Sequence, residues 1–247
     1  MNWHKIKAAI VRSGRICAVH DIQITELKSL YGIEEQKRLL KENTKRFIEG
    51  KGANNALLWG EMGCGKSSLV RAVFCKYMDK NLRLIELGKF ELGSLYDVLC
   101  VIREAKSFKF IIFCDDMSFE SSGSDVSELK RLLEGSIEKV PQNVLFYATS
   151  NRRHFLKTEE NSENFLINKE RMRENLSLAD RFGLCISFYE MDFSEYIGFC
   201  DELFEAQSWD EDRKENMHKL ARTFSDSKGL RSPRAAQQFF AMYGGQL

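Results

Sequence analysis

The chain carries almost no net charge. Its 37 basic and 36 acidic side chains leave +1, so bulk electrostatics do not mark it as a nucleic-acid binder. Long hydrophobic runs are missing too. The longest wholly apolar stretches are strand-sized, such as "FIIFC" at 110–114, far short of a bilayer span. Seven cysteines occur, an odd number, and none forms a C-x-x-C pair. That excludes a disulfide framework and a cysteine zinc site, and the expected compartment is the reducing cytoplasm. The four histidines are scattered without metal-ligand spacing. The first residues interleave charges with apolar side chains and offer no cleavage site, so no secretory signal is expected. Internal repeats and low-complexity tracts are absent from the sequence. What remains is an ordinary globular composition, 43% apolar and 30% charged over 247 residues. It suits one large domain, or one domain with a small appendage.

Apolar spacing organises this chain into alternating elements. "YGIEEQKRLLKENTKRFIEGKG" has helical periodicity and a glycine stop. "NALLWG" reads as a buried strand and "KSSLVRAVFCKYM" as a helix. "LRLIELG" and "FKFIIFCDD" are further strands separated by the helix "SLYDVLCVIREA". "VSELKRLLEGSIEKV" reads as a helix closed by Pro141. "NVLFYATSN" and "GLCISFYE" are the fourth and fifth strands. After Asp192 strand-like runs cease and three short helices are expected. Residues 158–175 form a charged, glycine-free segment, read as a long loop or partly helical insertion. The alternation predicts an α/β fold with a parallel sheet covered on both faces.

The chemistry centres on "LLWGEMGCGKSSLVRA", 57–72. Gly60-x-x-x-x-Gly65-Lys66-Ser67 satisfies the phosphate-loop pattern in full, between a strand and a helix as that motif requires. Gly60, Glu61, Met62, Gly63, Cys64 and Gly65 form the loop, and Lys66, Ser67 and Ser68 open the helix. Glycines let backbone N–H groups turn inward as an anion nest, reinforced by the helix N-terminus. Lys66 is expected to reach the β- and γ-phosphates and Ser67 to ligate Mg²⁺. Asp115 and Asp116 end the third strand. The first is expected to hold Mg²⁺ through water, the second to polarise the attacking water. Asp116 is a methylene shorter than the Glu common at this place, and Glu120 is the nearest acid that could assist. Asn151 either orients that water or caps the next turn. Arg181, in "LSLADRFG", is either an arginine supplied to a γ-phosphate or a surface residue paired with Asp180 or Glu174. Arg231 and Arg234 read, on residues alone, as a solvated basic face. Arg152 and Arg153 meet phosphate or nucleic acid, or are simply exposed.

The order of glycine loop, "FIIFCDD", "YATSNRRH", "LADRFG" and "SPRAAQQF" resembles the AAA+ ATPases. More narrowly it is similar to a bacterial family of predicted AAA+ ATP-binding proteins named only as a domain of unknown function. The resemblance covers about residues 30–240 and leaves the first 27 outside. It implies a P-loop three-layer αβα sandwich, a five-stranded parallel sheet of order 5-1-4-3-2, and a small helical lid. The implied domains are an N-terminal segment 1–27, a nucleotide-binding core 28–190 and a lid 191–247. It further implies Asn151 as first sensor, Arg181 as arginine finger, Arg234 as second sensor, and Tyr31, Gly32 and Ile33 near adenine.

The leading expectation is a Mg²⁺-dependent ATPase that couples ATP binding and hydrolysis to remodelling or loading of an unknown protein partner. Arg181 acting in trans implies a homo-oligomer. The alternative is a slowly hydrolysing, ATP-switched adaptor or loader acting on protein or nucleic acid, for which Arg152–Arg153 and a basic N-terminal region speak. A third is a structural nucleotide-binding module without turnover. No membrane association is expected. Cys64 reads first as a small residue tolerated at a variable loop position; its place beside a helix N-terminus raises the alternative of a lowered thiol pKa, with alkylation blocking ATP and Mg-ATP protecting the thiol.

Overall fold

A computed structural model describes residues 1–117, 131–133, 139–151, 180–205 and 210–244. Glu120, Arg152, Arg153, the 158–175 insertion and most of the helix anticipated before Pro141 lie outside the described residues. The elements are β1 (Ala8–Arg12), β2 (Arg15–Val19), α1 (Glu34–Ile48), β3 (Ala56–Gly60), α2 (Lys66–Tyr77), β4 (Leu82–Leu87), α3 (Leu95–Arg103), β5 (Lys109–Cys114), β6 (Val144–Ser150), β7 (Leu184–Phe188), α4 (Phe193–Phe204), α5 (Glu211–Lys228) and α6 (Pro233–Tyr243).

The sheet has seven strands in the order β2-β1-β4-β5-β6-β3-β7. The five parallel strands β7-β3-β6-β5-β4 keep the anticipated order among themselves. The expected five-stranded count is corrected by β1 and β2, which come from the segment thought to lie outside the core. β1 pairs parallel to β4, and β2 pairs antiparallel to β1. The signal was present in "AAIVRSGRICAV". Ser13 and Gly14 both have positive φ, 48° and 73°, as the tightest hairpin turns need. The Glu91 carboxylate accepts from both of their backbone N–H groups, at 2.7 and 2.9 Å. Trp3 is buried edge-on against Phe110, and its carbonyl accepts from the buried Arg83 guanidinium at 2.7 Å. Residues of the first 27 are therefore sheet and core.

Successive strand side chains point to opposite faces, and the core divides accordingly. Leu57, Phe110, Ile112, Cys114, Phe146 and Ala148 pack with α3 on one face. Leu58, Ile111, Phe113, Leu145 and Tyr147 pack with α1 and α2 on the other. β6 is buried along its whole length, which explains its unbroken apolar reading. One polar network lies in this core. The Tyr147 hydroxyl meets Thr44 Oγ1 at 2.8 Å and accepts from Asn43 Nδ2 at 3.1 Å. Asn43 also donates to the Asn54 carbonyl and accepts from its N–H, so α1 is tied to the entrance of β3.

Residues after β7 build a separate hydrophobic cluster from α4, α5 and α6, centred on Tyr196, Phe204, Met217 and Phe239. The three helices are those anticipated, although α5 runs 18 residues. α4 opens with a capping box, Asp192 accepting from the Glu195 N–H at 2.8 Å and Glu195 from that of Asp192 at 3.0 Å. Arg231 keeps a partly exposed side chain and also clamps the connector. Its N–H donates to Glu190 at 2.8 Å and its Nε to the Met191 carbonyl at 3.2 Å.

Tyr147→Phe should destabilise the protein by about 1 kcal/mol, the net worth of a buried hydrogen bond with its partners left short. The urea midpoint should fall with an unchanged slope. An unaltered midpoint would mean the network contributes nothing.

Candidate functional site

Strand β3 ends at Gly60, where φ is 130° and an added Cβ would lie 1.9 Å from the Phe188 carbonyl oxygen. Only glycine permits this approach. The next N–H, of Glu61, donates to that same carbonyl at 3.1 Å. Gly63 faces the other way, and a Cβ there would meet Ser232 Oγ at 2.7 Å and Arg234 Cβ at 3.1 Å. The loop is thus held between the end of β7 and the start of α6. Gly65 is the N-cap of α2 at φ 89°, with no side-chain cap. The first N–H groups of α2 are left for an anion. Lys66 is 5% exposed and donates to the Gly60 carbonyl at 2.9 Å and to that of Glu61. Burial depresses its pKa, and the charges of Glu61 and Asp116 act against that shift.

Alternation decides which face the strand-tip acids use. Cys114 lies on the α3 face, so Asp115 turns towards α2. Its Oδ1 accepts from Ser67 Oγ and Thr149 Oγ1, both at 2.6 Å, and its Oδ2 from Arg71 Nη2 at 3.2 Å. Asp116 stands at φ 53°, a left-handed conformation that Asp tolerates better than most residues. Two bonds to Thr149 fix that turn. The Thr149 hydroxyl accepts from the Asp116 N–H at 2.8 Å, and its carbonyl from the Met117 N–H at 2.8 Å. The Asn151 side-chain amide donates to the Asp116 carboxylate.

These groups line one cavity of about 420 Å³, together with Met62, Gly63, Cys64, Gly65, Ser68, Tyr31, Ile33 and Arg234. Gly32 lines an adjoining hollow with Glu190 and Met191. Tyr31 stacks on Phe199 of α4, centroids 4.7 Å apart. Gly60 and Glu61 act from beneath, as the carbonyls under Lys66. Arg181 is not brought together with the others. It is exposed, just before β7, and lines a different hollow with Lys109 and Gly52. Strand direction explains this. The loop leaves the C-terminal end of β3, whereas Arg181 precedes the N-terminal end of the parallel β7.

Two partners of Asp115 went unread in the sequence, Thr149 and Arg71. Thr149 is two residues before Asn151 on a strand, hence on the same face. Arg71 is one helical turn beyond Ser67. Both periodicities could have found them. The Ser67 hydroxyl and Asp115 carboxylate, with Thr149 beside them, are hard oxygen donors converging at one point. That donor set fits Mg²⁺.

A family profile described as "Protein of unknown function (DUF815)" matches residues 2–247, so the resemblance extends over the first residues as well. A curated relative, the replication factor C large subunit of Aeropyrum pernix, is 26% identical over 142 residues, covering 54% of this chain. The chain accounts for only 29% of that relative's length. Among solved structures, Thermotoga maritima RuvB, a Holliday junction branch migration motor, aligns with TM-score 0.50 and 12% identity over 90% of this chain and 72% of its own. C. elegans PCH-2 aligns with TM-score 0.59 and 13% identity, over 90% of this chain and 65% of its own. At such identities the likeness concerns the fold, which is that of the AAA+ ATPases.

The reactive alternative for Cys64 is overturned by burial. The residue is 3% exposed, and burial pushes its thiol up to about 11, outweighing the Lys66 charge that lowers it. The helix terminus does not activate it. Thiolate is the reactive form, so at pH 8 Cys64 should alkylate far more slowly than exposed Cys100. Its labelling should climb steeply only near pH 11. Mass-spectrometric mapping over pH 7–11 checks this; preferential labelling of Cys64 at pH 8 would contradict the buried, protonated thiol.

Proposed function

The chain belongs to the DUF815 family, and from that membership and the geometry of the cavity we propose an ATP-binding AAA+ ATPase that remodels or loads a partner. The carrying observation is that one cavity collects the glycine loop, both strand-tip acids, Asn151 and Arg234. Sheet and helical lid thereby close on the same volume.

The N–H groups of Gly63, Gly65 and the first turn of α2 receive the β-phosphate. Lys66 exchanges its loop carbonyls for phosphate oxygens, a charge-assisted bond in place of a neutral one. Ser67 and Asp115 hold Mg²⁺, which when bound neutralises charge on the phosphates. Tyr31 and Ile33 cover the base, and Arg234 reaches the γ-phosphate from the lid. Water attacks the γ-phosphorus, the bond to the ADP oxygen breaks, and the water proton passes to Asp116. Asn151 orients Asp116 and the water. The base side of the cavity and the γ-phosphate side are both joined to the lid, through Tyr31–Phe199 and through Arg234. Loss of the γ-phosphate releases one of those two joints, which is how hydrolysis would move the lid.

A slow, switch-like enzyme is favoured by one observation. The Asp116 carboxylate is short and already engaged by Asn151, so it must be freed before it accepts a proton. The partner is a protein or a nucleic acid. RuvB, by its name a branch migration motor, illustrates the remodelling use of this fold. Arg181, remote from its own cavity, serves a neighbouring copy in this reading, so the active form is a homo-oligomer.

Lys66→Ala should weaken ATP binding roughly 10- to 150-fold, the span of a hydrogen bond to a charged group. Asp116→Asn should leave binding nearly intact and slow phosphate release by about 10²–10⁴. Fluorescent-nucleotide titration and single-turnover phosphate release measure the two. Full affinity in a folded Lys66→Ala protein removes the nucleotide assignment.

Arg181→Ala should bind ATP normally and lose a factor approaching 10³–10⁵, the scale of arginine-finger effects. Activity should partly return on mixing with Lys66→Ala, which still donates its Arg181. Constant specific activity across protein concentrations, indifferent to Arg181→Ala, would make Arg181 an ordinary surface residue.

A further inference from the structure

Arg71 is the cation of the cavity to which the chemistry above gives no task. It sits one turn beyond Ser67 on α2, on the same helix face. Its Nη2 lies 3.2 Å from Asp115 Oδ2 and 3.7 Å from Glu86 Oε2. The guanidinium centre is 5.7 Å from the Phe113 ring. Glu86 is on β4, opposite Phe113 of β5 in the sheet register. One guanidinium thus stands between two carboxylates, hydrogen-bonded to one and within ion-pair range of the other.

The oxygens of Asp115 are fully engaged: Oδ1 by Ser67 and Thr149, Oδ2 by Arg71. Arg71 therefore compensates the very charge that a Mg²⁺ ion would use. A divalent cation and a guanidinium on one carboxylate repel each other, and the repulsion is stronger beside a protein surface than in bulk water. Glu86 offers the displaced guanidinium an acceptor without a change of helix position.

We propose that Arg71 is a displaceable counter-cation. Arg71 and Mg²⁺ compete for the Asp115 carboxylate and Glu86 takes up the guanidinium when Mg²⁺ is loaded, so that Arg71 and Glu86 set the metal affinity of the site. Arg71 is a positioning residue here, acting through Asp115. The inference rests on the Mg-nucleotide reading of the cavity.

The test is calorimetric titration of Mg²⁺ into the full chain saturated with ADP, for the wild type, Arg71→Gln, Glu86→Gln and the double variant. Arg71→Gln should tighten Mg²⁺ roughly two- to fivefold and Glu86→Gln should weaken it by a similar factor, the range of a half-exposed ion pair. In the double variant the Glu86→Gln effect should vanish, because no guanidinium remains to be received. Arg71→Lys keeps the charge and should keep the Glu86→Gln response, which covers the case in which Arg71→Gln fails to fold. Shifts of the same sign in both single variants would overturn the proposal, as would no shift in either. A Glu86→Gln effect that persists without Arg71 would overturn it as well, since Glu86 would then act only through its own field. Failure of the wild type to bind ADP is a different outcome, and sinks the nucleotide reading itself.

Discussion

The contact on which the site depends is made between backbones, at Gly60 and Phe188. The end of β3 and the end of β7 approach so closely that a single methyl group at Gly60 would overlap the Phe188 carbonyl oxygen. That carbonyl also accepts from the Glu61 N–H. The first turn of the glycine loop is thereby fixed to the last residue of the edge strand. Three residues later Gly63 meets the start of α6, here against the side chains of Ser232 and Arg234. Sheet, loop and C-terminal helices are registered to one another through a few atoms at these two glycines.

The remaining geometry follows from strand direction and alternation. Parallel strands deliver their C-terminal ends to one edge, so the loop after β3, the acids after β5 and Asn151 after β6 converge without long connections. Alternation then sorts the acids. Asp115 faces α2 and is held by Ser67, Thr149 and Arg71, while Asp116 is turned away in a left-handed conformation and meets Asn151. Two adjacent carboxylates acquire different partners because the backbone just beyond β5 turns left-handed at Asp116. Thr149 serves both, through its hydroxyl and its carbonyl, so positions that look separate in the sequence are mechanically one unit.

The charged groups of the cavity are already hydrogen-bonded within the protein. Lys66 donates to loop carbonyls, Asp115 accepts from two hydroxyls and a guanidinium, and Asp116 accepts from an amide. A ligand entering the cavity would have to replace these interactions. The helices after β7 meet the cavity at two places. Tyr31 stacks on Phe199, and Arg234 sits over Gly63. The connector between them is held by Arg231 on Glu190 and Met191.

The sequence alone determined the loop and the strand tips, because these are local, whereas the order of the five parallel strands was implied only by the family resemblance. A glycine spacing, an apolar run ending in two acids, and "ATSN" each report their own backbone. The hairpin in the first residues went unread although "AAIVRSGRICAV" sets two short apolar runs about a Ser-Gly turn, because β1 joins the sheet only through the edge of β4. Only the tertiary structure decided that Cys64 is buried and inert, for a helix N-terminus argues for a low thiol pKa while packing against the loop argues for a high one, and desolvation wins. Likewise the position of Arg71 between Asp115 and Glu86 is written on three separate elements, α2, β5 and β4. No spacing along the chain encodes it, because the distance that matters is measured across the sheet.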